Sequence, residues 1–308
     1  MQIQWYPGHM HKAQKEIKEI LPNVDLIIEV LDARLPFSSE NPMIASLRGD
    51  KPCVKILNKS DLADPVITAQ WQLYLEQEKN VKTLALSIEK ADKLKQLSTL
   101  CRKLVPNKGD NVRSLNCLIM GIPNVGKSTL INALAERAIA KTGNEPAVTK
   151  TQQRINLRNG IILIDTPGLL WSNVENKNSG YRLAVTGAIK DTAVVYADIA
   201  DFAAELLLEF YPENIKMRYQ IEALPYRSYE LLELIGKKRG CLSGGGHIDF
   251  DKTGKLFIGE IRSGALGRIT LETPEMMEKE LAELAIIREE KAAKKAARKV
   301  RFKKSRKR

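Results

Sequence analysis

The sequence predicts an α/β fold: a mostly parallel sheet with helices on both faces, followed by a smaller, mainly helical domain. Two observations predict it. Through about residue 165, short apolar runs of strand length alternate with segments of helical spacing, the rhythm of β-α-β-α units. Beyond about residue 190 the strand-like runs stop and long helical patterns take over.

In chain order, residues 24–32 (VDLIIEVLD), 53–57 (CVKIL) and 81–86 (VKTLAL) read as strands buried on both faces, since their apolar runs hardly alternate with polar residues. Between them, 69–78 and 92–104 have helical spacing. Residues 106–114, rich in Asn, Gly, Lys and Asp, form a polar linker, after which strand-like runs resume at 116–120 and 161–164. Helical patterns follow at 192–210, 228–238 and 251–263. Thr273, Pro274 and Glu275 supply an N-cap, a proline at the first helical position and an acid in the first turn. The expected organisation is an N-terminal basic segment over 1–23, an α/β domain over 24–190, a helical domain over 191–290 and a basic tail over 291–308.

The net charge of +12 has a location. Residues 291–308 hold eleven Lys or Arg and no acid, which leaves the rest of the chain close to neutral. So dense a block of like charge seeks a polyanion, the alternative being a solubilising tail. Its composition favours helix but offers no apolar face, so it is expected to be disordered, or helical only on a partner. No run of 18 apolar residues occurs; the run at 194–210 carries Asp198, Asp201 and Glu205. The first 16 residues are polar and unlike a signal peptide. Cys53, Cys101, Cys117 and Cys241 lie far apart without a C-x-x-C pair, as in a reduced, cytoplasmic protein without a zinc site.

Three motifs carry chemistry. Gly121 to Ser128 (GIPNVGKS) fits G-x-x-x-x-G-K-[ST] between a strand and a helix. Its backbone N–H groups and helix N-terminus suit phosphates, with Asn124, Val125, Gly126, Lys127, Ser128 and Thr129 as ligand contacts. Lys127 is expected at the β- and γ-phosphates and Ser128 on Mg²⁺. Asp165, Thr166, Pro167 and Gly168 follow an apolar strand; Asp165 is placed to hold Mg²⁺ and the Gly168 N–H to sense the γ-phosphate. Taken alone, D-T-P-G is equally an ordinary turn. Asn58, Lys59, Ser60 and Asp61 also follow a strand. The Asp61 carboxylate can accept from N1–H and the 2-amino group of guanine, a pair that adenine lacks. Asn58 would tether neighbouring loops, the Lys59 stem would lie along the base, and Ser87 and Ile88 would offer backbone contacts to O6. Taken alone, N-K-S-D is equally a helix cap beside a surface lysine. Together the three motifs point to GTP and GDP with Mg²⁺.

Their order is unusual. A common GTPase runs phosphate loop, D-x-x-G, then N-K-x-D, whereas here N-K-S-D comes first. The expectation is a circularly permuted P-loop GTPase domain, a rearrangement that surface termini tolerate. The segment after Gly168 then runs directly into the helical domain instead of returning to the sheet.

With its opening W-Y-P-G-H-M at 5–10, Asp32-Ala33-Arg34, the three motifs in permuted order, Val148-Thr149-Lys150 with Gln152 and Gln153, and I-R-S-G-A-L-G at 261–267, the sequence resembles the YlqF/RbgA ribosome-biogenesis GTPases over nearly its whole length. These are bacterial factors for late assembly of the large ribosomal subunit. The resemblance implies that Thr149 meets Mg²⁺ and the γ-phosphate, although Ala147 stands where glycine is expected and Thr151 lies nearby. Leu169, which follows D-x-x-G, cannot orient water; the resemblance points to His9 as the substitute catalytic residue. The blander alternative is that His9 packs or caps the N-terminal segment. Asn124 matches the asparagine that serves a monovalent cation in potassium-activated relatives, and a tight-turn role suits it equally. Lys12, Lys15 and Lys18 could face RNA, or merely solvent.

The function expected is a GTP-hydrolysing factor, slow alone and stimulated by the large subunit, which binds ribosomal RNA in a nucleotide-dependent way. Neither membrane nor DNA is an expected partner. The alternative is a guanine-nucleotide-dependent RNA-binding module in which hydrolysis is incidental.

Overall fold

The computed structural model describes residues 9–87, 91–106, 114–139, 153–166, 168 and 175–305. Six strands, β1 (Leu26–Asp32), β2 (Cys53–Asn58), β3 (Val81–Leu86), β4 (Leu115–Gly121), β5 (Gln153–Asn156) and β6 (Ile161–Asp165), form one sheet in the order β3-β2-β1-β4-β6-β5. All neighbours are parallel except β5, which runs antiparallel to β6 at the edge. Every residue of β1 and β2 is buried, which is why these strands read as largely apolar runs, interrupted only by the buried Glu29 and Lys55. The sequence reading misses β5 because only Ile155 of its four residues is buried.

The helices are α1 (His9–Ile20), α2 (Pro36–Ser39), α3 (Pro42–Arg48), α4 (Pro65–Leu75), α5 (Ala91–Leu104), α6 (Lys127–Ala135), α7 (Lys177–Val185), α8 (Tyr196–Phe210), α9 (Pro212–Tyr219), α10 (Ser228–Arg239), α11 (Phe250–Ser263) and α12 (Pro274–Ser305). Helix α4 starts at Pro65, earlier than its apolar spacing indicates, because Asp64 accepts hydrogen bonds from the Val66 and Ile67 N–H groups and so caps it. Thr273 caps α12 in the same way, accepting from Met276 N at 3.2 Å. No described helix is long and apolar enough to cross a membrane. All four cysteines are buried and free.

After β6 the chain forms α7 and passes into α8 without returning to the sheet. Helices α8, α10 and α11 pack together, and their apolar residues join one cluster with those of the sheet. The chain then turns back. Ile269 N donates to Leu62 O (2.9 Å) and Leu271 N to Arg34 O (2.7 Å), laying a strap across the loops that follow β2 and β1. Trp71, fully buried on α4, donates from Nε1 to Glu272 O at 2.9 Å and packs with Leu31, Leu57, Leu75 and Met277.

Beneath this strap lies a buried ion cluster. Arg182 of α7 donates to Leu271 O (3.1 Å) and to both carboxylate oxygens of Glu280 (3.0 and 2.6 Å). Glu272 stands 3.6 Å from Arg182 and accepts from both the backbone N–H and the hydroxyl of Ser38. Burial pushes the Glu272 carboxyl above its ordinary range, with Arg182 opposing. Buried charge of this kind is tolerated only when it is paired.

Beyond Glu290 the chain is helical, α12 continuing to Ser305. Its Ala, Lys, Arg and Glu are strong helix formers, and Glu290 pairs with Lys294 one turn on. The side chains of 285–295 are all exposed, in keeping with the missing apolar face.

Trp71 closes the strap onto the sheet domain, so Trp71→Ala should cost about 3–5 kcal/mol. Trp71→Phe keeps an aromatic body but leaves Glu272 O without its donor, and should cost less. Urea unfolding midpoints check both values; a loss below about 1 kcal/mol for the alanine variant would show that the strap is held elsewhere.

Candidate nucleotide-binding site

The loops that leave the carboxyl ends of β1, β2, β4 and β6 meet at one edge of the sheet, where open α/β sheets place their ligands. After β4 the chain turns through Asn124 (φ 63°) and Gly126 (φ 89°) into α6. At Gly126 a side chain is excluded twice: the φ is left-handed, and a Cβ would run into the Asn58 carboxamide nitrogen. Opposite the phosphate loop, the second turn also packs close, though less tightly. A Cβ on Gly168 would lie 3.1 Å from Pro123 N, and Thr166 Oγ1 donates to Ile119 O at 3.0 Å.

Lys127, at the start of α6, is buried and its Nζ donates to Asp165 Oδ1 at 3.0 Å. Burial lowers the Lys127 pKa, and the Asp165 carboxylate opposes that shift. The other carboxylate oxygen, Asp165 Oδ2, is buried and finds no hydrogen-bond partner among the described residues. An orphaned acceptor of this kind is costly unless a ligand satisfies it. Ser128, next in sequence to Lys127, sits in the first turn of α6. A carboxylate and a hydroxyl form a hard oxygen donor set, which fits Mg²⁺ or a water bound to it.

The N-K-S-D loop is tied to the phosphate loop by direct hydrogen bonds. Asn58 Nδ2 donates to Val125 O at 2.7 Å, and Lys59 Nζ to Asn124 O at 2.6 Å. Ser60 N donates to Leu86 O at 3.1 Å, linking this loop to the turn at buried Ser87. Asp61 and Thr129 are exposed. A cavity of about 460 Å³ lies between Lys59, Asn124, Gly126 and Thr129 on one side and Gly187 and Arg262 on the other.

The structure thus brings Asn58, Lys59, Asn124, Val125, Gly126 and Lys127 together, with Asp165 and Gly168 against the same loop. Ile88 and Thr149 lie outside the described residues. His9 opens α1, and its side chain also lies outside them. The tight-turn role weighed for Asn124 is present, and its Nδ2 donates to Gly187 O at 2.6 Å.

Sequence reasoning missed two sets of residues that border this edge. Arg262 of α11 donates to Val185 O (2.8 Å) and Ala184 O (2.9 Å), capping the C-terminus of α7. The sequence marks it only within the I-R-S-G-A-L-G resemblance, because its partners are backbone carbonyls almost eighty positions away. Asp32 and Arg34, noted only as part of a resemblance, form a buried ion pair with Lys59. Their signal is a pair of opposite charges at the end of a mostly apolar strand.

Comparison with known proteins agrees with this geometry. Residues 116–223 match the family described as 50S ribosome-binding GTPase. The chain is 45% identical to ribosome biogenesis GTPase A of Bacillus cereus, covering 94% of this chain and 100% of that one. It is 32% identical to the protein of the same name from Thermotoga maritima, over 89% of this chain and 95% of that one. Among solved structures, the GNP-bound YlqF from T. maritima superposes with a TM-score of 0.60 at 30% identity, covering 86% of this chain and 99% of that one. With its permuted motifs gathered at one sheet edge and this identity over nearly the full length of both chains, the chain belongs to the ribosome biogenesis GTPase A family and is a GTPase of ribosome assembly.

Proposed function

We propose that this GTPase acts on the large ribosomal subunit late in its assembly, binding ribosomal RNA under control of the nucleotide it holds. The observation that carries the reading is the pair of hydrogen bonds from Asn58 and Lys59 to the backbone of Val125 and Asn124. On this reading they join the guanine motif to the phosphate loop in one nucleotide site, although that motif precedes the loop in the chain. In this reading Asp61 selects guanine, Asn58 tethers the two loops, and Ser87 and Ile88 face O6. Lys127 leaves Asp165 for the phosphates, and Gly168 senses the γ-phosphate. Ser128, Thr149 and Asp165 hold Mg²⁺, which supplies charge neutralisation at the phosphates when bound. Asn124 serves a potassium ion, and His9 orients the attacking water. The reading also places the chain in the cytoplasm, where ribosomes assemble.

The domain limits proposed are those of the sequence: 24–190 for the GTPase domain, 191–290 for the helical domain and 291–308 for the basic tail. Coupling between nucleotide and ribosome is placed in α7. That helix follows the phosphate-sensing turn and is clasped from the helical region by Arg262 at its end and by Leu271 and Glu280 around Arg182. A movement at Gly168 that shifts α7 must therefore disturb the packing of the helical region. The alternative, an RNA-binding module with incidental hydrolysis, predicts no stimulation of turnover by subunits.

Asp61→Asn should weaken GTP binding and shift preference toward xanthine nucleotide, whose 2-position presents an acceptor; unchanged GTP affinity removes the guanine role of Asp61. His9→Ala should lower turnover at nearly constant GTP affinity, the signature of a transition-state role. The assay is run with and without large subunits, and in potassium and in sodium. Equal loss of affinity would make the histidine structural.

Cutting the chain after Glu290 removes eleven positive charges. Each single-strand phosphate contact contributes about −0.7 to the slope of log affinity against log salt, so the truncated chain should bind subunits more weakly and with a flatter slope. GTP binding and the difference between GTP analogue and GDP should survive the cut. An unchanged slope would reduce the tail to a solubility device.

A further inference from the structure

We propose that Asp32 is a positioning residue for guanine-nucleotide binding, acting through Lys59. Asp32 ends β1, next to the strand whose loop carries N-K-S-D, and is buried to 3% exposure. Its carboxylate is fully engaged. Oδ1 accepts from the Arg34 backbone N–H at 3.1 Å and from Arg34 Nε at 2.9 Å. Oδ2 accepts from Arg34 Nη2 at 2.7 Å and from Lys59 Nζ at 2.9 Å. The planar guanidinium grips both oxygens at once, which fixes the carboxylate plane as a single contact could not.

That fixed oxygen determines where Lys59 can go. Lys59 has left-handed backbone (φ 59°), an uncommon conformation for a lysine, and a long stem with several rotatable bonds. Its ammonium is held between Asp32 Oδ2 and Asn124 O. The stem thereby lines the cavity beside the phosphate loop, together with Asn124 and Gly126. Without the carboxylate, the ammonium keeps only a carbonyl and faces the buried Arg34 charge.

Electrostatics point the same way. Burial raises the Asp32 carboxyl, but Arg34 and Lys59 outweigh it and hold the group well below the carboxylate range. On Lys59, burial depresses the ammonium and Asp32 opposes that shift. Asp32 therefore keeps Lys59 charged as well as aimed. The Asp61 carboxylate acts on both Arg34 and Lys59 in the same sense as Asp32. Arg34 in turn is anchored from outside the sheet, its carbonyl accepting from Leu271 N at 2.7 Å.

The inference rests on the reading that Lys59 lies along the guanine, and a double-mutant cycle tests it on the full chain. GDP affinity is measured for Asp32→Asn, for Lys59→Met and for the double variant. If Asp32 acts through Lys59, each single change weakens GDP roughly tenfold, the scale of one charged hydrogen bond, and the double variant is no weaker than Lys59→Met alone. The KM for GTP should rise by the same factor while kcat moves far less. Inosine diphosphate should lose as much affinity as GDP, because a stem lying along the base does not read the 2-amino group. Additive losses in the double variant, or a loss confined to kcat, would overturn the proposal. Should the uncompensated Arg34 charge prevent Asp32→Asn from folding, Asp32→Asn with Arg34→Gln takes its place in the same cycle. Asp61→Asn is the control for the underlying reading. If it leaves base preference untouched, the guanine site itself is misplaced; if it shifts preference while the cycle is additive, only the role of Asp32 fails.

Discussion

The N-K-S-D loop lies directly against the phosphate loop, close enough that the Asn58 carboxamide fills the space a side chain on Gly126 would need. Much else follows from that approach. It requires glycine at 126 for two reasons, left-handed backbone and lack of room. It requires β2 and β4 to lie two positions apart with β1 between them, and all three to end at the same edge. It also requires the strand between them to finish in something that can bridge the two loops. Asp32, at the end of β1, does so through Lys59.

Permutation changes what the chain does after the phosphate sensor. In the common order the helix after D-x-x-G leads back into the sheet; here α7 leads out into α8. The helical region then returns over the GTPase loops as a strap, with Leu271 on Arg34 and Glu272 beneath Trp71. Helix α7 therefore lies between the nucleotide edge and the strap, held at its C-terminus by Arg262 and near its middle by Arg182. These contacts are buried ion pairs and backbone carbonyls, which have well-defined geometry and lose much energy when misaligned. Such joints favour discrete rearrangement over gradual bending, a useful property in a nucleotide switch.

Charge is divided among the regions by task. The sheet domain uses its buried charges in pairs, and the described tail residues 291–295 are exposed to water. Charge that must hold geometry is desolvated and paired, and charge that serves long-range attraction stays solvated.

The local chemistry was legible in the sequence alone. The parallel strands were evident because strands buried on both faces are mostly apolar, and the phosphate loop because its glycines and lysine admit few substitutes. The permutation was evident from motif order. Tertiary structure alone decided what depends on distant partners. Ile155 is too short a signal to mark β5, which exists because β6 offers it a ladder. The start of α4 was set by the Asp64 cap, which outweighed the apolar spacing that follows. Arg182, Arg262 and Glu272 resemble ordinary surface residues in the sequence, since nothing local records the distant partners that the fold brings to them: Leu271 O, Val185 O and Ser38. Asp32 and Arg34 stood between the two cases. A charged pair ending an apolar strand marks a buried ion pair, but only the fold brings Lys59 to it and so gives the pair a use.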